Sequence, residues 1–182
     1  MTAIDLPKSL ERIRAARENL APHLRRTPTV YSYTLSDSAH GDVHLKLENL
    51  QRTGSFKARG ALNKLLSLDA AARAKGLAAA SAGNHAQGVA LAAKLAGVRC
   101  TIVMPEATAL IKVQRTEGYG AEVVLHGENW DASQKRAVEI ARERDMTLVH
   151  PFDDEVVIEG QGTVGLEILD DLPNVGTVVV PI

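Results

Sequence analysis

Leu77-Ala78-Ala79-Ala80-Ser81-Ala82-Gly83-Asn84-His85-Ala86-Gln87-Gly88 decides how the chain is read. The first four residues are apolar and read as a short strand. Ser81 to Asn84 make a tight turn, and a helical pattern runs from His85 to Ala96, where Gly97 stops it. A strand that turns directly into a helix leaves unpaired backbone N–H groups at the helix start, a ready site for a carboxylate or phosphate. The alternation continues downstream. Val98 to Met104 reads as a strand, Ala109 to Glu117 as a helix closed by Gly118, and Ala121 to Leu125 as a strand. Trp130 to Arg144 reads as a helix and Thr147 to His150 as a strand. Strands alternating with helices imply a parallel sheet covered on both faces, so the predicted fold class is α/β.

Upstream, Leu10, Ile13, Ala16 and Leu20 recur at helical spacing, and Pro22 closes that helix. Short strands are predicted at Thr29 to Tyr31 and Val43 to Glu48. A helix follows from Ser55 to about Leu68, and an alanine-rich one reaches Lys75 before Gly76. At the far end, Gly160 to Leu172 reads as a helix and Thr177 to Ile182 as an apolar strand. Only the short N-terminal strands are left to pair with that last strand.

Composition narrows the class. Of 182 residues, 45% are hydrophobic and 24% charged, as in an ordinary soluble globular protein of one domain or one and a fraction. Aromatic residues make up 3%, so the core must be built from Ala, Val, Leu and Ile. The formal net charge is -1 and no Lys/Arg cluster forms a nucleic-acid footprint. Arg12, Arg14 and Arg17 are flanked by Glu11 and Glu18 and read as a solvated helix face. Cys100 lies in an apolar run and reads as a small buried hydrophobe; one cysteine excludes an internal disulfide. Met1 to Asp5 shows no secretory pattern, and no apolar run approaches the ~20 residues of a membrane span. A cytoplasmic protein with no membrane partner is expected.

A second stretch carries chemistry: Glu48-Asn49-Leu50-Gln51-Arg52-Thr53-Gly54-Ser55-Phe56-Lys57-Ala58-Arg59-Gly60. Lys57 falls in the first turn of a helix, where the macrodipole disfavours a cation. A lysine amine with a lowered pKa is the nucleophile that forms Schiff bases with carbonyl cofactors. Taken alone, such a lysine would more often be a solvated residue beginning a helix.

Together the two stretches resemble the fold-type II pyridoxal-phosphate enzymes, and within them the threonine and serine dehydratases, over about Ile4 to Ile182. The resemblance implies two three-layer α/β domains, the smaller inserted in the larger, with pyridoxal 5'-phosphate in the cleft between them. Residues 1–49 would be the N-terminal part of the large domain, 50–152 the small domain, and 153–182 the return into a large domain that is incomplete here. Lys57 would form the Schiff base with the cofactor and later remove the substrate Cα proton. Phe56 would pack near the cofactor ring, though a plain core role is compatible with that. Ser81, Ala82, Gly83, Asn84 and His85 would receive the substrate carboxylate, and Asn84 would hydrogen-bond the cofactor's phenolic oxygen. Read from the residues alone, Asn84 could instead cap the helix, and a helix-start role for His85 is equally good.

The implied reaction is α,β-elimination from L-threonine, then L-serine, giving 2-oxobutanoate or pyruvate and ammonia. Serine racemases of the family carry a serine where this chain has Ala82, and a methyl group cannot relay a proton. Elimination is therefore favoured, with racemisation the runner-up. In the family a glycine-rich phosphate loop follows the strand that ends here at Val178-Val179-Val180-Pro181-Ile182. That raises another expectation, a truncated non-catalytic relative serving as a binding module. A small amino-acid substrate and a homo-oligomer, dimer or tetramer, are the implied partners.

Gly160-Gln161-Gly162-Thr163-Val164-Gly165 satisfies the dinucleotide-binding pattern literally, but no convincing strand precedes it. Its glycines are expected to allow close helix packing. Asp153 and Asp154 read as surface or capping carboxylates, and the six histidines show no zinc-type spacing.

Overall fold

The computed structural model describes residues 6–180. In chain order these form α1 (Leu6–Leu20), β1 (Thr29–Tyr31), α2 (Tyr33–Ala39), β2 (His44–Lys46) and a 3-10 turn (Glu48–Leu50). Then come α3 (Lys57–Ser67), α4 (Ala70–Lys75), β3 (Leu77–Ala80), α5 (Asn84–Ala96), β4 (Cys100–Met104) and α6 (Leu110–Glu117). The chain continues through β5 (Glu122–Leu125), α7 (Trp130–Glu143), β6 (Thr147–Leu148) and α8 (Glu155–Asp171). Among the described residues no helix is long and apolar enough to cross a membrane.

The four-stranded sheet is parallel throughout, in the order β5-β4-β3-β6. Its period-two alternation assigns each side chain to a layer. Leu77, Ala79, Ile102 and Met104 join Ala61, Leu65, Val89, Ala93 and Val113 from α3, α5 and α6. Ala78, Ala80 and Val103 face the other way, onto Ala137, Ile140 and Ala141 of α7 and Met146. All four residues of β3 are buried, because helices cover both faces, and alanines let those helices approach closely. The core is aliphatic as the composition requires, and Cys100 is part of it, its thiol pushed up to about 12 by burial.

β1 and β2 pair antiparallel with each other, Val30 opposite Leu45. Residues 177–180 form no strand, contrary to the predicted strand at Thr177 to Ile182; Pro181 and Ile182 lie outside the described residues. Neither N-terminal strand pairs with them, and Val179 is 90% exposed. An apolar run becomes a strand only where a neighbour takes its backbone hydrogen bonds. Helix α8 begins at Glu155 instead of Gly160, because Asp154 accepts hydrogen bonds from the amides of Val156 and Val157 and so caps it. α2 was not legible as a helix; Ser32 caps it by accepting from the Leu35 amide.

The Gly160 segment is a helix contact. A Cβ at Gly160 would lie 2.7 Å from both Arg59 O and the Gly60 Cα, and one at Gly60 would lie 2.6 Å from Val157 O. The α3 and α8 backbones therefore touch. Gly160→Ala is expected to cost about 1–3 kcal/mol through overpacking. Gly165, which among the described residues has nothing within 4 Å of its Cβ position, should tolerate alanine. Urea denaturation of both variants checks the contrast.

Candidate active site

Parallel strands bring their carboxyl ends to one edge, and a crevice opens where successive crossovers leave in opposite directions. Here that point is the end of β3, since β4 lies on one side of it and β6 on the other. The loop after β3 carries Ser81 to Asn84, and the loop after β6 carries His150 to Phe152. Lys57 reaches this place from the first residue of α3. Its Nζ donates to the Pro151 carbonyl oxygen at 2.8 Å and stands 5.4 Å from the centre of the Phe56 ring. Both side chains are half-buried. Burial lowers the Lys57 pKa, because a partly dry surrounding disfavours the ammonium.

The turn after β3 is held by Ser81, whose hydroxyl accepts from the Gly83 amide at 3.1 Å, while the Ser81 amide donates to Val103 O. The cap of α5 is Gly83, and no side chain caps it. The first-turn amides of α5 are thus left for a ligand. Asn84, the first helical residue, is exposed, so its amide is not the cap. Space within 4 Å of a notional Gly83 Cβ is open, and Ala82 packs its methyl against the core.

His85 turns inward. It is buried, and its Nε2 lies 3.0 Å from the Val149 carbonyl oxygen, which can only accept, so the hydrogen sits on Nε2. Burial, with the nearby Lys57 charge as a smaller contribution, lowers its pKa to about 4, and the ring is neutral at physiological pH. Of the predicted substrate-loop residues, Ser81, Ala82, Gly83 and Asn84 line the turn, while the His85 side chain ties that turn to Val149, the residue after β6.

Further contributors were not singled out from the sequence. The Pro151 carbonyl is one, and the order of the parallel strands is the signal that would have pointed to it. Trp130, His150 and Phe152 form a ring cluster beside the crevice, His150 and Phe152 being 4.8 Å apart edge to face. The Trp130 Nε1 donates to Ala80 O, the last carbonyl of β3. Beneath Lys57, Arg59 is 3% exposed and donates to Glu48 and Glu167, with bonds of 2.7 Å to each, and to Thr163. Lys46 completes the network with a 2.8 Å ion pair to Glu167 and a bond to Thr27 O. Burial alone would raise the Glu167 carboxyl, but the hydrogen bonds from Arg59 and Lys46 outweigh it and hold it below its usual range.

A half-buried amine and a helix start without a side-chain cap thus meet at the α/β switch point. The family profile described as "Pyridoxal-phosphate dependent enzyme" matches residues 20–182. The chain therefore belongs to the fold-type II pyridoxal-phosphate dependent enzymes, whose cofactor is pyridoxal 5'-phosphate. It is 54% identical over 175 residues to the catabolic L-threonine dehydratase TdcB of Staphylococcus aureus strain N315, covering 96% of this chain and 51% of that relative. Its fold matches maize serine racemase with a TM-score of 0.91 at 35% identity, over 94% of this chain and 52% of that one. It also matches the processed form of threonine deaminase isoform 2 from Solanum lycopersicum with a TM-score of 0.88 at 36% identity, over 96% and 48%. The chain spans about half the length of the curated relatives it matches.

The residues present fit that cofactor. An aldehyde needs an amine and oxyanions need donors, which Lys57, its pKa lowered by burial, and the α5 amides would supply. Two buried polar atoms, Ser55 Oγ two residues before Lys57 and His85 Nδ1 in the first turn of α5, have no partner among the described residues.

Proposed function

We propose that this chain serves the deamination of a β-hydroxy amino acid, L-threonine ahead of L-serine, to 2-oxobutanoate or pyruvate and ammonia. The observation that carries the reading is the Lys57 amine, lowered in pKa and held on Pro151 O beside the uncapped start of α5. The identity to a catabolic L-threonine dehydratase supports the choice of substrate. Lys57 would hold the cofactor through its aldehyde, with Phe56 alongside and Asn84 donating to an oxygen. Bound pyridoxal phosphate supplies the electron sink for the charge left at Cα.

The protein's own share is orientation and proton transfer. Amides of the Ser81 to His85 turn that are not engaged by Val103 O or Ser81 Oγ bind the substrate carboxylate and fix Cα. Lys57, set free when the substrate amine takes its place, would accept the Cα proton, and its depressed pKa enlarges the neutral fraction near pH 7. The β-hydroxyl takes up a proton equivalent to the one removed from Cα and departs as water, and hydrolysis of the resulting enamine consumes one water. Threonine thus becomes 2-oxobutanoate and ammonia with no net oxidation. Purified protein supplied with pyridoxal phosphate is expected to release 2-oxobutanoate from L-threonine faster than pyruvate from L-serine. A coupled keto-acid assay decides this, and failure to form either keto acid would overturn the proposal.

Racemisation is the second reading, favoured by the close structural match to maize serine racemase. It requires a proton donor on the face of Cα opposite Lys57. Ala82 stands where the racemases of the family carry that serine, and a methyl group has no proton to give. L-Serine is therefore expected to yield pyruvate without D-serine, and Ala82→Ser to introduce D-serine. Chiral chromatography of the two reactions measures both; D-serine formation by the unaltered protein at the rate of pyruvate release would reverse the preference.

A further inference from the structure

We infer that Gly88 is a positioning residue for Lys57: its missing side chain lets α5 rest on the Lys57 peptide and sets the amine's distance from the turn that begins the same helix. This rests on the reading of Lys57 as the cofactor-bearing amine and deepens it. A Cβ on Gly88 would lie 2.9 Å from Lys57 O, 3.0 Å from Lys57 C and 3.2 Å from Ala58 N. All three are backbone atoms, so no change of rotamer relieves the clash. Either α5 must withdraw or the first turn of α3 must.

The first turn of α3 has little freedom to yield. Gly60 and Gly160 bring α8 into backbone contact with it on another side. Arg59, between Lys57 and Gly60, is anchored to Glu48, Thr163 and Glu167. Asn84 and Gly88 stand four residues apart on α5 and share one helix face. The helix that offers its first-turn amides to an anion therefore also carries, one turn later, the surface on which Lys57 is seated. His85, between them, ties the same helix to Val149, two residues before the carbonyl that receives Lys57 Nζ. Moving α5 by the few tenths of an ångström to one ångström that a methyl group demands changes the spacing of amine and turn together.

The test compares Gly88→Ala with Gly165→Ala, whose added methyl meets open space. Acetic anhydride labelling across pH, read by peptide mass spectrometry, reports the ionisation of Lys57 without any cofactor. In folded Gly88→Ala protein the Lys57 midpoint is expected to rise toward that of an ordinary lysine, because the displaced amine leaves its half-buried seat. A misplacement of this size should also lower kcat for threonine by about a hundred-fold. Gly165→Ala should match the unaltered protein in both. Should Gly88→Ala not fold, Gly88→Ala combined with Ala61→Gly gives α5 room one turn along α3, and the same readouts apply. An unchanged Lys57 midpoint and kcat in either folded variant would overturn the inference. Trapping with pyridoxal phosphate on the unaltered protein tests the underlying reading separately: labelling away from Lys57 would sink that reading and leave the acetylation result standing.

Discussion

Replacing Lys57 with alanine is expected to abolish threonine turnover while leaving the protein folded. The side chain contributes a hydrogen bond to Pro151 O and a cation over the Phe56 ring, at a half-buried place where water can take over the carbonyl. Its removal should therefore cost no more than about 1 kcal/mol, the usual scale for a substitution that creates no cavity or unpaired buried charge. The chemical loss is far larger. A positioned general base is worth about 10²–10⁴ in rate, and here the same amine also anchors the cofactor. A fall in kcat of at least about 10³-fold is expected, measured against an unchanged melting temperature. Lys57→Arg should not restore activity, since a guanidinium stays protonated and cannot act as either nucleophile or base. The pH profile follows the same logic with a definite sign. Lys57 acts when neutral and burial lowers its pKa, so the rate should rise with pH and level off below the range where an ordinary lysine loses its proton.

Glu167→Gln is expected to be the most damaging change outside the crevice. Glu167 accepts from Arg59 and Lys46, both almost fully buried, so its neutralisation strands two cations in a dry place. Breaking a buried ion pair from one side costs about 3–5 kcal/mol. The lower end applies here, because Arg59 keeps Glu48 and Lys46 keeps Thr27 O and a 3.6 Å approach to Asp171. The effect should be pH-dependent. The Glu167 pKa is depressed in the folded protein, so its contribution is full above the ordinary glutamate pKa and lost as pH falls through the lower folded value. Urea midpoints of Glu167→Gln and the unaltered protein should therefore differ widely at neutral pH and converge in acid. An equal gap at both pH values would show that the network is not what Glu167 stabilises.

Much of this was legible in the sequence because local rules and tertiary demands agree there. β3 was read with its observed ends, since Gly76, at φ +90°, breaks the chain before it and a polar turn follows. The helix from Trp130 and the strand around Ile102 were read for similar reasons, a clear period bounded by glycine or a cap. The places that failed depend on remote partners. Apolar composition at residues 177–180 does not create a strand where no neighbour among the described residues supplies backbone hydrogen bonds. The pattern read from sequence begins α8 at Gly160, yet Asp154 caps it earlier, and the glycines serve contact, Gly160 with α3 and Gly162 with Ile13 of α1. At the site, Lys57 and the Ser81 turn were visible as residue types in a known order. Pro151 acts through a backbone carbonyl, which any residue carries, and Arg59 gains its meaning from Glu48 and Glu167, 11 and 108 residues away. No local pattern encodes such meetings.

One particular amine, Lys57, seated between the ends of β3 and β6, is expected to take up the cofactor's aldehyde. Purified protein would be mixed with pyridoxal phosphate, reduced with borohydride, digested and mapped by mass spectrometry. A single stable pyridoxyl group on Lys57, competed away by L-threonine before reduction, is the expected result. A modification spread over surface lysines, with Lys57 untouched, would contradict it.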